Sequence, residues 1–333
     1  MIPNKDIPKR VHRNSKSQAI NRNRIDEVDY FKAIFISFMI LFHLPIINLF
    51  YPYFHDVIYS FHMPGFLLIS GYFANTDKSI SSFAISIGKL FIPYLIIVTT
   101  HTCLNYALSG VIPMQQAIGE INLSVFLNRI FLHPANPYWY INTLIICLMI
   151  EYLIVKFVKL KGLNAYIALG ISLYAITYVS GMEWHNAMCF LVGHILKGNT
   201  RHFLSIFQPS FFASIPLIIM FSIPDNLHVG SLSSLTITYL VICFLQKIYK
   251  YIPLKRKCAL HYIGRNTLLI VLFSPFFTAI SKVLIPAFSF DTTGFCYAIV
   301  AIIFTILGCL LCGMICDLTH LSKYIFLTSK IIK

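Results

Sequence analysis

Residues 294–316 read GFCYAIVAIIFTILGCLLCGMIC, a run of 23 residues with no Asp, Glu, Lys or Arg. Wound as a helix at 1.5 Å per residue, it is about 35 Å long, enough to cross a hydrocarbon layer of about 30 Å. Working outward from it, comparable runs fall near residues 30–50, 57–74, 83–107, 138–158, 164–181, 184–197, 203–222, 230–249 and 260–285. Their lengths suit helices rather than the short alternating strands of a barrel, and helices satisfy their own backbone groups in lipid. The expected fold is therefore all-α: a polytopic transmembrane bundle of about ten helices, with both termini cytoplasmic.

Composition agrees. Of the 333 residues, 57% are hydrophobic and 11% charged, and the mean hydropathy is +0.75. No water-soluble core of this size requires such a surplus. The net charge of +14 would raise nucleic acid as a partner in a soluble protein. Here the basic residues sit between apolar runs, and no nucleic-acid fold signature accompanies them.

Counted on alternate sides of the ten-helix arrangement, 21 of the 26 Lys and Arg residues fall on one side. The other side holds Arg129 and Lys282, with Asp56, Glu120, Glu183, Asp225 and Asp291 in its loops. By the positive-inside rule the Lys-rich side is cytoplasmic. This divides the chain into a basic tail over 1–28, a membrane domain over 29–318 and a basic tail over 319–333. The N-terminal tail is polar and is not a secretory signal, so the first apolar run stays as a span. The stretch Ala117–Leu132 is mostly apolar with polar residues interspersed, which suits a segment at the outer interface covering a site.

The nine cysteines suggest neither a metal nor a disulfide framework. Cys309, Cys312 and Cys316 share a helix face with the small residues Gly308 and Gly313, a pattern for close helix packing. No metal site is expected. The absence of a detectable internal repeat weakens an inverted-repeat transporter.

Ionisable residues inside apolar runs are functional candidates. Lys32, Lys89 and Arg265 lie within about 10 Å of the cytoplasmic face, and Glu151 reaches the same level. His43 and His62 lie about 20 Å from that face. Lys32 and His43 are 11 positions apart, close to three helical turns, so one face carries a cation below and a histidine about 16 Å above it. Such spacing suits a long ligand with an anionic end. Each residue also has an ordinary reading: Lys32 as a snorkelling lysine, Lys89 or Arg265 as the partner of Glu151, and either histidine as a hydrogen-bonded core residue. His101, His185, His194 and His261 lie near helix ends and read as interfacial.

The segment Ile25-Asp26-Glu27-Val28-Asp29-Tyr30-Phe31-Lys32, the apolar run to His43, and the stretches Tyr59-Ser60-Phe61-His62-Met63-Pro64-Gly65-Phe66 and Ile69-Ser70-Gly71-Tyr72 together resemble the acyltransferase-3 family of membrane O-acyltransferases. Tyr138-Trp139-Tyr140 and Tyr262-Ile263-Gly264-Arg265-Asn266-Thr267-Leu268 resemble its later signatures. The resemblance implies transfer of an acyl group, commonly acetyl from acetyl-CoA, to a hydroxyl of a surface or lipid-linked glycan. It also implies a multi-pass protein of the inner (cytoplasmic) membrane. His43 would be the general base and His62 a second acceptor, an orienting donor or an oxyanion stabiliser. Lys32, Lys89 and Arg265 would hold the CoA phosphates. Lys32 stands where many members have Arg, and Phe273-Ser274-Pro275 stands where the family often has a histidine. The alternative is a transporter or flippase of a glycan or anionic substrate, without covalent chemistry.

Overall fold

The computed structural model describes residues 24–108, 118–135, 137–160, 162–200 and 202–333. Most of the expected basic N-terminal arm, with Lys161, Arg201 and Ala117, lies outside the described residues. Among the described residues every regular element is helical, without strands. In chain order they are α1 (Asp26–His43), α2 (Pro45–Phe50), α3 (Pro52–Phe73), α4 (Ile80–Leu108), α5 (Leu123–Leu127), α6 (Trp139–Leu153), α7 (Gly162–Thr177) and α8 (Trp184–Asn199). There follow α9 (Phe203–Ile206), α10 (Ser214–Phe221), α11 (Leu232–Tyr249), α12 (Leu254–Arg265), α13 (Thr267–Ser281), α14 (Phe295–Leu318) and α15 (Ser322–Ile325). Among the described residues five helices, counting the turns that continue α6 and α13, are long and apolar enough to cross a membrane: Ile80–Leu108, Trp139–Val158, Leu232–Tyr249, Thr267–Phe288 and Phe295–Leu318.

The opening run, α14, shows how the chain meets its solvent. Ile299, Ile303, Leu307, Leu311 and Met314 form an exposed stripe of large aliphatics at helical spacing. Ala298, Ala301, Thr305, Cys309, Gly313 and Cys316 are buried on the inner side. Small residues inside and large apolar ones outside are the arrangement of a lipid-facing helix. Gly308 and Gly313 lie against Phe277 and Leu269 of α13, so the cysteine-containing face packs as its spacing suggests.

Several apolar runs are broken, and proline accounts for the clearest cases. The run at 30–50 is two helices, because Pro45 pushes Leu44 to an extended conformation (φ −80°, ψ 123°) and begins α2. Thus α1 ends on His43. The run at 203–222 is interrupted between α9 and α10, where Pro209 stands. The run at 260–285 begins earlier than expected, at Leu254, and breaks at Asn266 (φ −108°, ψ 20°).

At the centre, α3 packs on α8 and α11, and α1 packs on α3, α12, α13 and α14. The α3–α8 crossing is a reciprocal glycine contact. A Cβ on Gly71 would strike the Phe190 carbonyl oxygen, and one on Gly193 would strike that of Leu68. Backbones this close gain dispersion contacts that larger residues exclude.

Inside α3, Pro64 has no N–H to offer the Ser60 carbonyl one turn earlier. The Ser234 hydroxyl, from α11, donates to that oxygen at 2.6 Å. The kink-prone helix carrying His62 is thus repaired by its neighbour. Ser234→Ala is expected to leave a buried carbonyl unpaired and to lower stability by about 1–3 kcal/mol. Thermal unfolding of the purified variant measures this; an unchanged midpoint would show that the bond contributes nothing net.

Candidate active site

The two ends of α1 carry different chemistry. At its start, Asp29 is 2% exposed and receives two arginines. Arg24 Nε and Nη2 donate to its carboxylate at 2.6 and 3.2 Å, and Arg265 Nε donates at 3.3 Å. Arg265 also donates from Nη2 to Asp26 at 3.2 Å. α12 can come this close because Gly264 lies against the Asp29 backbone. The sequence stretches at 25–32 and 262–268 therefore meet in space. Arg265, a candidate for anion binding, has two carboxylates as its immediate partners.

Lys32 is half-buried on α1 and Lys89 is exposed on α4. Glu151 is 1% exposed, and its partner is neither Lys89 nor Arg265. His194 Nδ1 from α8 lies 2.6 Å from Glu151 Oε1, in contact but outside aligned hydrogen-bond geometry. His194 is therefore part of a buried pair rather than an interfacial histidine. Its place on α8 facing α6 was invisible without the fold.

At the other end of α1, His43 Nδ1 lies 2.7 Å from the Met39 carbonyl oxygen. His62 Nδ1 makes the same contact with Ile58, at 2.8 Å. A carbonyl can only accept, so Nδ1 carries the hydrogen in both rings and Nε2 keeps its lone pair in the neutral form. The His62 side chain is fully buried, and its Nε2 has no hydrogen-bond partner. A buried imine nitrogen without a donor is an unfilled hydrogen-bond acceptor. The one-turn-back carbonyl follows from each histidine lying on a helix; its significance lies in fixing the same nitrogen on both.

Around them runs a sequence of rings. His62 meets Tyr59 edge-on with centroids 4.7 Å apart, Tyr59 stacks on His55 at 4.1 Å, and His55 meets Phe42 at 5.5 Å. His55 Nδ1 contacts Asp56 Oδ1 at 2.9 Å. His55 precedes the apolar run that carries His62, so its place in the sequence does not single it out.

Tyr59 and Met63, flanking His62 on α3, line a cavity of about 960 Å³. Trp139 and Asn186, at the starts of α6 and α8, line it with Glu120 and Glu183. Asn186 is 3% exposed; its Nδ2 donates to Glu183 at 3.2 Å, while its Oδ1 is unpartnered. Part of the wall is the segment 118–135, including a π-helical turn over Asn128–Leu132. It is tied down by Ile118 N–H donating to Asn105 (3.1 Å), by Tyr94 donating to the Ile130 carbonyl (2.5 Å) and by Asn142 donating to that of Phe131 (3.2 Å). The segment expected to cover a site lines this cavity. Aromatic faces beside unfilled acceptors suit a hydroxyl-bearing ligand.

Two further signature stretches meet between α3 and α6. Ser70 shares a hydrogen bond with Tyr140 at 3.1 Å, joining the Ser-Gly-Tyr stretch to Tyr138-Trp139-Tyr140. In comparison with known proteins, a family model described as an acyltransferase domain, of the acyltransferase-3 type, matches residues 25–314. No curated protein and no solved structure matches the chain.

Proposed function

Since the chain belongs to the acyltransferase-3 family, we propose that it is an O-acyltransferase moving an acyl group, acetyl in the first instance, from cytoplasmic acyl-CoA to a hydroxyl of a surface or lipid-linked glycan. The bundle then sits in the inner membrane with about ten crossings and both termini cytoplasmic, as the Lys and Arg distribution favours. The start of α1 faces the cytoplasm and the cavity beside His62 faces outward.

The observation that carries this reading is the pair of histidines on packed helices, each with Nδ1 spent on a carbonyl and the Nε2 lone pair free in the neutral ring, with Tyr59 and Met63 on either side of His62 lining the cavity. In the proposed reaction the glycan hydroxyl oxygen attacks the thioester carbonyl carbon while His43 Nε2 takes its proton. The tetrahedral oxyanion collapses, the C–S bond breaks, and the thiolate takes the proton back from the imidazolium. The products are the O-acyl glycan and CoA. His62, whose Nε2 can accept but not donate, orients the acceptor hydroxyl. Lys32 and His43 lie on one uninterrupted helix, so anion binding and base are about 16 Å apart along its axis. The phosphates of CoA can thus stay at the cytoplasmic end while its acyl end reaches the histidines.

Glycan mass and NMR, compared between wild type and a deletion strain, test the proposal. Acyl transfer requires loss of a fixed acyl increment and of the matching ester signal. A glycan unaltered in mass but changed in location would instead identify a transporter.

A further inference from the structure

Beyond α14 the chain turns back on the bundle, and its hydrogen bonds determine where it goes. Asp317 accepts from the Ser322 hydroxyl at 2.5 Å and from the backbone N–H groups of Ile331 and Ile332 at 2.8 and 3.1 Å. α15 packs on α4, and Leu327 lies against Gly88, the residue before Lys89. At the far end the Lys333 N–H donates to Asn266 Oδ1 at 3.1 Å, and Asn266 Nδ2 donates to the Lys333 carbonyl at 3.3 Å. Asn266 is 3% exposed and follows Arg265 directly. The basic segment after α14 is thus a strap held to the bundle at Asp317 and at Asn266.

The strap brings Lys333 to the charge cluster at the start of α1, where Lys32, Lys89 and Arg24 oppose its charge and Asp29 favours it. The arginines are already matched: Arg24 with Asp29, and Arg265 with Asp29 and Asp26. Among the described residues, no carboxylate forms an ion pair with Lys32, Lys89 or Lys333. The nearby Asp29 carboxylate acts on both Lys32 and Lys333, but Arg24 and Arg265 already share it, so positive charge is in excess there and a bound polyanion would relieve it.

We propose that the strap is a working part of the donor site, in which Lys333, fixed by Asn266, joins Lys32 and Lys89 in binding a phosphate of acyl-CoA. This rests on the acyl-CoA reading above. Phosphate chemistry has a second source here, since anionic lipid headgroups also collect at basic cytoplasmic surfaces.

The test is equilibrium binding of CoA to the full-length protein in nanodiscs of phosphatidylcholine alone, with retained phosphatidylglycerol measured separately in mixed nanodiscs. Lys333→Ala is expected to weaken CoA binding about tenfold, and Lys333→Arg to restore it to within about threefold. Asn266→Ala, which frees the strap but keeps the charge, is expected to weaken it as well. Wild-type CoA binding that Lys333→Ala leaves unchanged, in a variant of unchanged thermal midpoint, would overturn the inference alone. If phosphatidylglycerol retention falls in that variant, Lys333 is a headgroup anchor. Wild-type protein that binds no CoA would remove the donor reading and the inference with it.

Discussion

His43→Gln is expected to reduce acyl transfer by about 10² to 10⁴, the usual consequence of losing a positioned general base. The His43 Nδ1 contact with Met39, at 2.7 Å, leaves Nε2 as the nitrogen that can take a proton. Glutamine retains hydrogen-bonding atoms and similar bulk, but its amide cannot accept that proton at neutral pH. The variant should fold, because His43 is the last residue of α1 and the helix is ended by Pro45 whatever stands before it. Rates at matched protein levels decide the matter: activity within about threefold of wild type would move the base role to His62.

The second large effect is expected at Asp29. Its buried carboxylate separates two guanidinium groups, Arg24 and Arg265, and joins α1 to α12. Asp29→Ala removes the shared anion, leaving Arg24 without its partner and Arg265 with Asp26 alone, at a tight helix crossing. Loss of one member of a buried ion pair typically costs about 3–5 kcal/mol. Both arginines are about a third exposed, so water screens them and the lower end, about 3 kcal/mol, is expected. Asp29→Asn should lose less, since its amide oxygen still accepts from one guanidinium. A thermal midpoint for Asp29→Ala equal to wild type would show that solvent replaces the carboxylate at no cost.

The sequence made the membrane character legible because it is written in composition and run length. α14 spans its predicted run to within two residues at either end, and its cysteines pack as their spacing suggested. His43 and His62 were legible as ionisable residues in apolar runs. What was not legible depends on pairing across the bundle. Glu151 read as a partner for Lys89 or Arg265, and only the packing of α6 beside α8 brings His194 to it instead. Asp29 read as one of several acids at a helix start, and its burial requires Gly264 opposite it. The break after His43 was available from Pro45, whose effect on Leu44 is local. The strap was not, because Asn266 and Lys333 are 67 residues apart and no periodicity connects them.

The most direct measurement uses purified protein in proteoliposomes, with acetyl-CoA labelled in its acetyl group and the glycan isolated from the deletion strain as acceptor. Transfer requires free CoA to accumulate in step with label on the glycan as a base-labile ester. Wild type should show both, and His43→Gln neither above background. Label on the glycan at equal rates in both proteins, or no label with intact CoA binding in wild type, would contradict acyl transfer at this histidine pair.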